Sequence, residues 1–338
     1  MSVRIVSAEN GLDEAAARLR RGELVAFPTE TVYGLGANAL DTEAVARIYT
    51  AKGRPATNPL IVHVADVPDI ARVVAQWNET AERLAARFLP GPLTLVLPRR
   101  DTVPDRVSAG GPTVAVRIPA HPVARELIRR AGVPVAAPSA NRSEEVSPTT
   151  AVHVFESLSP YVDDLLILDG GPCTVGIEST VVDVTVNPPR ILRPGQITEE
   201  QLWKALGYSF PPVVTPVEPG ERAEPEEATV ARSPGQMARH YAPHTPLLLI
   251  KDDELPHSLD DGDILLTHQP AHQPMAQDRQ ANVLLLPPDA AGYARELYAA
   301  LRRADAGNHS RILVADPPGT PEWAAIRDRL RRAASTSH

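Results

Sequence analysis

Short runs of Val, Ile and Leu alternate with amphipathic stretches from the N-terminus to about residue 208, and that rhythm confines this part of the chain to a sheet flanked by helices. Leu24–Phe27, Leu60–Val64, Leu93–Leu97, Thr113–Ile118, Val133–Ala137, Leu165–Leu168 and Ser179–Val184 read as strands. Leu12–Arg21, Thr42–Ala51, Glu79–Phe88, Pro122–Arg130 and Thr149–Leu158 read as helices, with Asp41 or Thr42 as cap of the second. Several strands follow one another with no helix between them, which predicts a mixed sheet rather than a purely parallel one. From Ser209 to Pro246 the rhythm stops. Prolines at 211, 212, 216, 219, 225 and 234 and acidic residues at 218, 221, 224, 226 and 227 exclude regular structure and mark a linker. Its last part, Ser233 to Pro243, carries more hydrogen-bonding groups than a spacer needs. Beyond it, Leu247–Ile250, Ile264–Leu266, Val283–Leu286 and Ile312–Val314 read as strands, and Gly292–Arg303 and Glu322–Ala333 as helices. The expectation is α/β throughout: residues 1–208 as one domain, 209–246 as linker, and 247–338 as a smaller α/β domain with a parallel, Rossmann-like sheet.

A length of 338 residues suits two domains, and 43% apolar with 22% charged residues is ordinary for a globular chain. The net charge of −8 weighs against stable binding to nucleic acid or anionic membrane, while leaving room for a local basic pocket. Cys173 is the sole cysteine, so an intramolecular disulfide and a cysteine-cluster metal site are both excluded. Met1 to Val6 has no signal-like apolar core, and no apolar run approaches membrane-spanning length. The expected location is the cytoplasm.

Two distant segments, Lys52-Gly53-Arg54-Pro55 and Pro138-Ser139-Ala140-Asn141, look like halves of one anion site. Only three of the 34 basic residues are lysines (Lys52, Lys204 and Lys251), so a lysine inside a dense polar motif suggests a need for a compact ammonium. Ala51-Lys52-Gly53 is equally readable as a helix C-terminus with its cation facing the dipole. Polar residues repeatedly interrupt strand ends, where α/β proteins place ligands: Thr29 to Gly36, Asn58, His63, Arg117, Ser179, Thr180 and Arg193. Each has a plain alternative. His63 suits a satisfied core histidine, Arg117 a solvated charge, Glu30 a turn, and Asn141 a turn-stabilising side chain. Gly34-Leu35-Gly36 lacks the third glycine of a dinucleotide fingerprint, no Walker-type sequence is present, and Ser139 has no nucleophile elbow. No HExxH or carboxylate cluster marks a metal site, so Mg²⁺ is expected to arrive with phosphates.

Taken in order, Pro28 to Leu35, Lys52 to Pro55, Asn58 to His63, Pro90 to Thr94, Arg117-Ile118-Pro119, Ala137 to Asn141 and Glu178 to Val182 resemble the YrdC-like family, a mixed twisted sheet with flanking helices. The Ser-Pro-Gly to His-Tyr-Ala-Pro segment and the C-terminal α/β part resemble its two-domain members, the L-threonylcarbamoyladenylate synthases. The resemblance implies that L-threonine, bicarbonate and ATP give threonylcarbamoyl-AMP and pyrophosphate, the first step of threonylcarbamoyladenosine formation in tRNA. It implies that Lys52, Arg54, Ser139 and Asn141 form the catalytic signature. These four, with Asn58, Thr113, Ser147, Arg193 and Tyr241 as lid contact, would hold ATP. Threonine would be held by Thr31, His63, Arg117, Ser179 and the backbone of Ala137, with Arg117 on its carboxylate. Proteins that transfer the threonylcarbamoyl group are candidate partners. At Gln236-Met237-Ala238-Arg239 the chain departs from the family's Gly-Met followed by basic and aromatic residues. An RNA-binding module and a carbamoyl-transfer enzyme are the competing implications of the same fold.

Overall fold

The computed structural model describes residues 2–208 and 240–334; most of the proline-rich stretch, including Gln236 to Arg239, lies outside the described residues. The strands of the first part are β1 (Val3–Ser7), β2 (Val25–Phe27), β3 (Gly34–Asn38), β4 (Ile61–His63), β5 (Leu93–Pro98), β6 (Thr113–Arg117), β7 (Val135–Ala136), β8 (Leu165–Asp169), β9 (Thr180–Asp183) and β10 (Arg190–Arg193). They form one sheet in the order β1-β8-β2-β3-β7-β4-β6-β5-β9-β10. The β4·β6 and β5·β9 pairs are parallel whereas β5·β6 and β2·β3 are antiparallel, so the sheet is mixed, as the strand spacing predicted.

The helices are α1 (Ala8–Arg20), α2 (Thr42–Lys52), α3 (Glu79–Phe88), α4 (Asp105–Ser108), α5 (Pro122–Ala131), α6 (Ala151–Leu158) and α7 (Glu199–Ala205). Helix α2 starts where the side chain of Asp41 accepts from the amides of Glu43 and Ala44, and stops at Gly53, whose φ of 59° lies in the left-handed region that glycine tolerates. Strands β1, β3 and β10 and helix α7 were not legible in the sequence. β3 is glycine-rich and is a strand because its neighbours demand it. A Cβ on Gly36 would stand 2.7 Å from the Phe27 ring and 2.9 Å from Val135.

Alternation along the strands separates two faces. One carries the main core, with Leu35, Val62, Leu95, Val116 and Val182 packed with residues of α2, α3 and α6. On the other, α1 and α5 pack over Val25, Phe27, Val135 and Leu166, which lie on β2, β7 and β8. The remainder of that face, Ile61, Val96, Ala115 and Val181, forms a small separate cluster. His63 and Arg117 lie on this part of the sheet, at the ends of β4 and β6.

The second part has β11 (Leu247–Ile250), β12 (Ile264–Thr267), β13 (Asn282–Leu285) and β14 (Ile312–Ala315), all parallel in the order β11-β14-β12-β13. Helices α8 (Leu255–Ser258) and α9 (His272–Asp278) cover one face; α10 (Ala290–Ala306) and α11 (Ala324–Ala334) cover the other. The α10 and α11 layer shares a core with Val32, Val146, Val175 and Ile177 of the first part and with Tyr241. Gly176, at φ 82°, makes that contact close: a Cβ there would stand 2.4 Å from the backbone of Arg295 on α10. Among the described residues, no helix is long and apolar enough to cross a membrane.

Candidate active site

A cavity opens where the ends of β4 and β6 meet the turn after β2, the Pro138-Ser139 turn, and the chain at His240 and Tyr241. Arg117, the last residue of β6, is 4% exposed. Its Nε donates to the carbonyl of Gly91 (3.2 Å), its Nη1 to Thr31 Oγ1 (2.8 Å), and its Nη2 lies 2.7 Å from Glu30 Oε1. Burial pushes the Glu30 carboxyl up, the Arg117 guanidinium outweighs it, and the net shift is downward, so the carboxylate stays ionised. Beside Arg117, His63 has a buried Nδ1 with no hydrogen-bond partner. Burial, reinforced by the Arg117 charge, lowers its pKa to about 3 and keeps the imidazole neutral. Ser179 Oγ sits 2.7 Å from Thr94 Oγ1 and accepts from Arg193 Nη2 at 3.1 Å.

Arg54 is held by uncharged oxygens, and Arg193 meets Ser179 again. Arg54 donates through Nε to the carbonyl of Asn58 (3.0 Å) and through Nη2 to Asn58 Oδ1 (2.6 Å) and the carbonyl of Pro59 (2.8 Å). Burial lowers its pKa to about 10, which leaves it charged near neutrality. Arg193 Nε donates to the carbonyl of Ser179 at 3.1 Å. Three guanidinium groups thus border one cavity, a setting suited to anions.

Lys52 occupies a different place from the one its motif suggested. Its Nζ donates to the carbonyls of Ser139 (2.6 Å) and Asn141, so in this geometry the ammonium ties the C-terminus of α2 to the Ser-x-Asn turn and is not on the cavity wall. Asn141 Nδ2 donates to the carbonyls of Arg142 and Glu145, and Ser147 Oγ donates to Glu178 Oε1 at 2.6 Å. Of the residues singled out from the sequence, Thr31, Arg54, His63, Arg117, Ala137, Ser139, Arg193 and Tyr241 line the cavity. Lys52, Asn58, Asn141, Ser147 and Ser179 bond to its wall or to one another. Thr113 shares a sheet face with Arg117 but starts β6 where Arg117 ends it, about 13 Å away at a strand's rise, and is outside the lining.

A family described as "Telomere recombination" (Sua5/YciO/YrdC) matches residues 17–195, and one described as "Threonylcarbamoyl-AMP synthase, C-terminal domain" matches residues 197–335. The threonylcarbamoyl-AMP synthase of Bacillus subtilis is 42% identical over 336 residues, covering 95% of this chain and 92% of its own. This chain belongs to the threonylcarbamoyl-AMP synthase family. The enzyme of that name from Pyrococcus abyssi is 48% identical over 237 residues, 70% of this chain and 67% of its own. The crystal structure of Pyrococcus abyssi Sua5 complexed with L-threonine superposes with a TM-score of 0.83 at 38% identity, covering 98% of this chain and 96% of that one.

Sequence reasoning missed the part of this family member's site that comes from the second sheet. Glu178, read only as part of a motif, is 7% exposed and accepts from Ser147, from Tyr298 of α10 (2.9 Å) and from Arg329 Nε of α11 (3.0 Å). Burial would raise its pKa, but the charges of Arg329 and Arg193 with these hydrogen bonds hold it at about 2. Tyr241 stacks on Tyr298 with ring centroids 5.7 Å apart, under the Arg329 guanidinium at 5.3 Å and beside His240 at 4.1 Å. Its φ of 64° is in the left-handed region, unusual for a bulky residue and a mark of a position over-determined by its surroundings. His240 entered only as part of the His-Tyr-Ala-Pro motif, whereas its neighbour Tyr241 was given a role. Burial lowers its pKa to about 3.

Proposed function

We propose that this chain condenses L-threonine, bicarbonate and ATP into threonylcarbamoyl-AMP, releasing pyrophosphate and water, and so supplies the activated group for tRNA modification in the cytoplasm. The observation that carries this is the convergence of Arg117, Arg54 and Arg193 on one cavity whose wall also holds Thr31, His63 and Ser139. The threonine amine and bicarbonate give a carbamate, which attacks the α-phosphorus while pyrophosphate leaves. Such a step needs aligned anions and neutralised charge more than covalent help. Arg117 takes the threonine carboxylate, with Thr31 and neutral His63 beside it. Arg54, aligned by Asn58, takes phosphate oxygens with Arg193 and Ser139, while Lys52 and Asn141 shape the Ser-x-Asn turn. In this reading Mg²⁺ belongs to the nucleotide substrate and is carried by its phosphates. Residues 1–208 are the catalytic domain in this reading, 247–338 a second domain braced against it, and the threonylcarbamoyl-transfer proteins its downstream partners.

The test is pyrophosphate release from ATP measured with and without L-threonine and with and without bicarbonate. Release that needs both supports the reaction; release indifferent to threonine refutes it.

A further inference from the structure

Two buried carboxylates at this site have no part in the scheme above: Glu178, which Arg329 of α11 pairs, and Glu30, which pairs a cavity arginine. Glu30 lies between Thr29 and Thr31, both of which line the cavity, yet its own side chain does not. At 5% exposure it is buried against Arg117. A buried, ionised carboxylate is costly unless it serves its partner. The partner is a guanidinium with five donor hydrogens. Gly91, Thr31 and Glu30 engage its three nitrogens and fix the plane of the group, leaving donor hydrogens for a ligand. Arg54, in contrast, meets only amide and carbonyl oxygens in its hydrogen bonds, so its charge is not offset by an adjacent carboxylate.

That contrast matters because two kinds of anion must share this small cavity. Attraction to a fixed charge scales with the charge of the ligand. An uncompensated Arg117 would draw a polyanionic phosphate chain more strongly than a singly charged carboxylate. We propose that Glu30 is a positioning and charge-compensating residue that reserves Arg117 for the amino-acid carboxylate and leaves phosphate groups to Arg54 and Arg193. This rests on the reaction proposed above, and it assigns Glu30 the sorting of anions within it.

Equilibrium binding tests the assignment without relying on turnover. L-threonine is titrated calorimetrically into the full-length wild type and the Glu30→Gln variant, each with and without inorganic pyrophosphate, and ATP is titrated separately. The wild type should bind threonine with an affinity that pyrophosphate leaves within about two-fold. Glu30→Gln should bind threonine about ten-fold more weakly, keep its ATP affinity, and now lose threonine binding as pyrophosphate is added. If Glu30→Gln fails to fold, Glu30→Asp replaces it, since its shorter carboxylate loosens the same pair and should show both changes in smaller measure. A folded variant that binds threonine like the wild type, or weakens without gaining pyrophosphate competition, overturns the proposal. So does pyrophosphate competing with threonine in the wild type. A wild type that binds neither threonine nor ATP overturns the reaction itself, an outcome distinct from a failure of the Glu30 variants alone.

Discussion

The cavity's arginines differ in what holds them, and that difference sets what each substitution should do. Arg54 is aligned by Asn58 and Pro59 and sits in the wall, so Arg54→Ala should leave the fold intact and reduce threonine-dependent pyrophosphate release by about a hundred-fold or more, the usual effect of losing a preorganised charge at a developing anion. Initial rates beside a thermal melt check this; near-normal turnover would remove Arg54 from the phosphate group. His63 and His240 make a prediction about pH. Both are buried and have pKa values of about 3, against about 6.5 in an unfolded chain. The unfolded state therefore takes up protons first as pH falls, so stability is full above pH 6.5 and declines towards pH 3. At pH 5 the loss should be roughly 2 kcal/mol for each histidine, read from denaturant midpoints at pH 7.5 and 5 and reduced in His63→Gln. At this scale the sequence showed which residue types cluster, including the Lys-x-Arg and Ser-x-Asn pairs. It did not show where the Lys52 ammonium points, because that depends on carbonyls some ninety positions away, at Ser139 and Asn141.

Elements with strong periodicity were legible: α3 spans Glu79–Phe88 as the spacing predicted, and α5 and β8 differ from expectation by a residue. β3 and β10 were not, for physical reasons. Gly34-Leu35-Gly36 has poor strand propensity and is held extended by β2 on one side and by Pro138 and Ser139 on the other. β10 is a short edge strand with an irregular register against β9 and polar residues at both ends. Gly36 tests the first point. Gly36→Ala should destabilise the protein by about 1–3 kcal/mol, because the added methyl meets Phe27 and Val135 in a packed layer. A denaturation midpoint that does not move would mean that the hairpin of β2 and β3 is less tightly packed than described.

Across the whole molecule, the second sheet reaches the cavity through one buried carboxylate. Arg329 is fully buried, pairs with Glu178 and lies over Tyr241, so it joins α11 to the chain that lines the cavity. Arg329→Met should cost about 3–5 kcal/mol by removing the ion-pair partner of the buried Glu178 carboxylate, and should depress activity. In Arg329→Met/Glu178→Gln a good part of that loss should return, because no buried charge is then left alone. Additive losses in the double variant would mean that the two residues act independently. The sequence by itself determined the α/β class, the mixed first sheet, the parallel second one and the family, because these follow from local periodicity and from motifs in a fixed order. Only the tertiary structure decided that Glu30 backs Arg117, that Lys52 ties a turn, and that α10 and α11 complete the site around Glu178 and Tyr241. Those contacts join residues far apart in the chain, and burial, not sequence spacing, is what gives each buried charge its need for a partner.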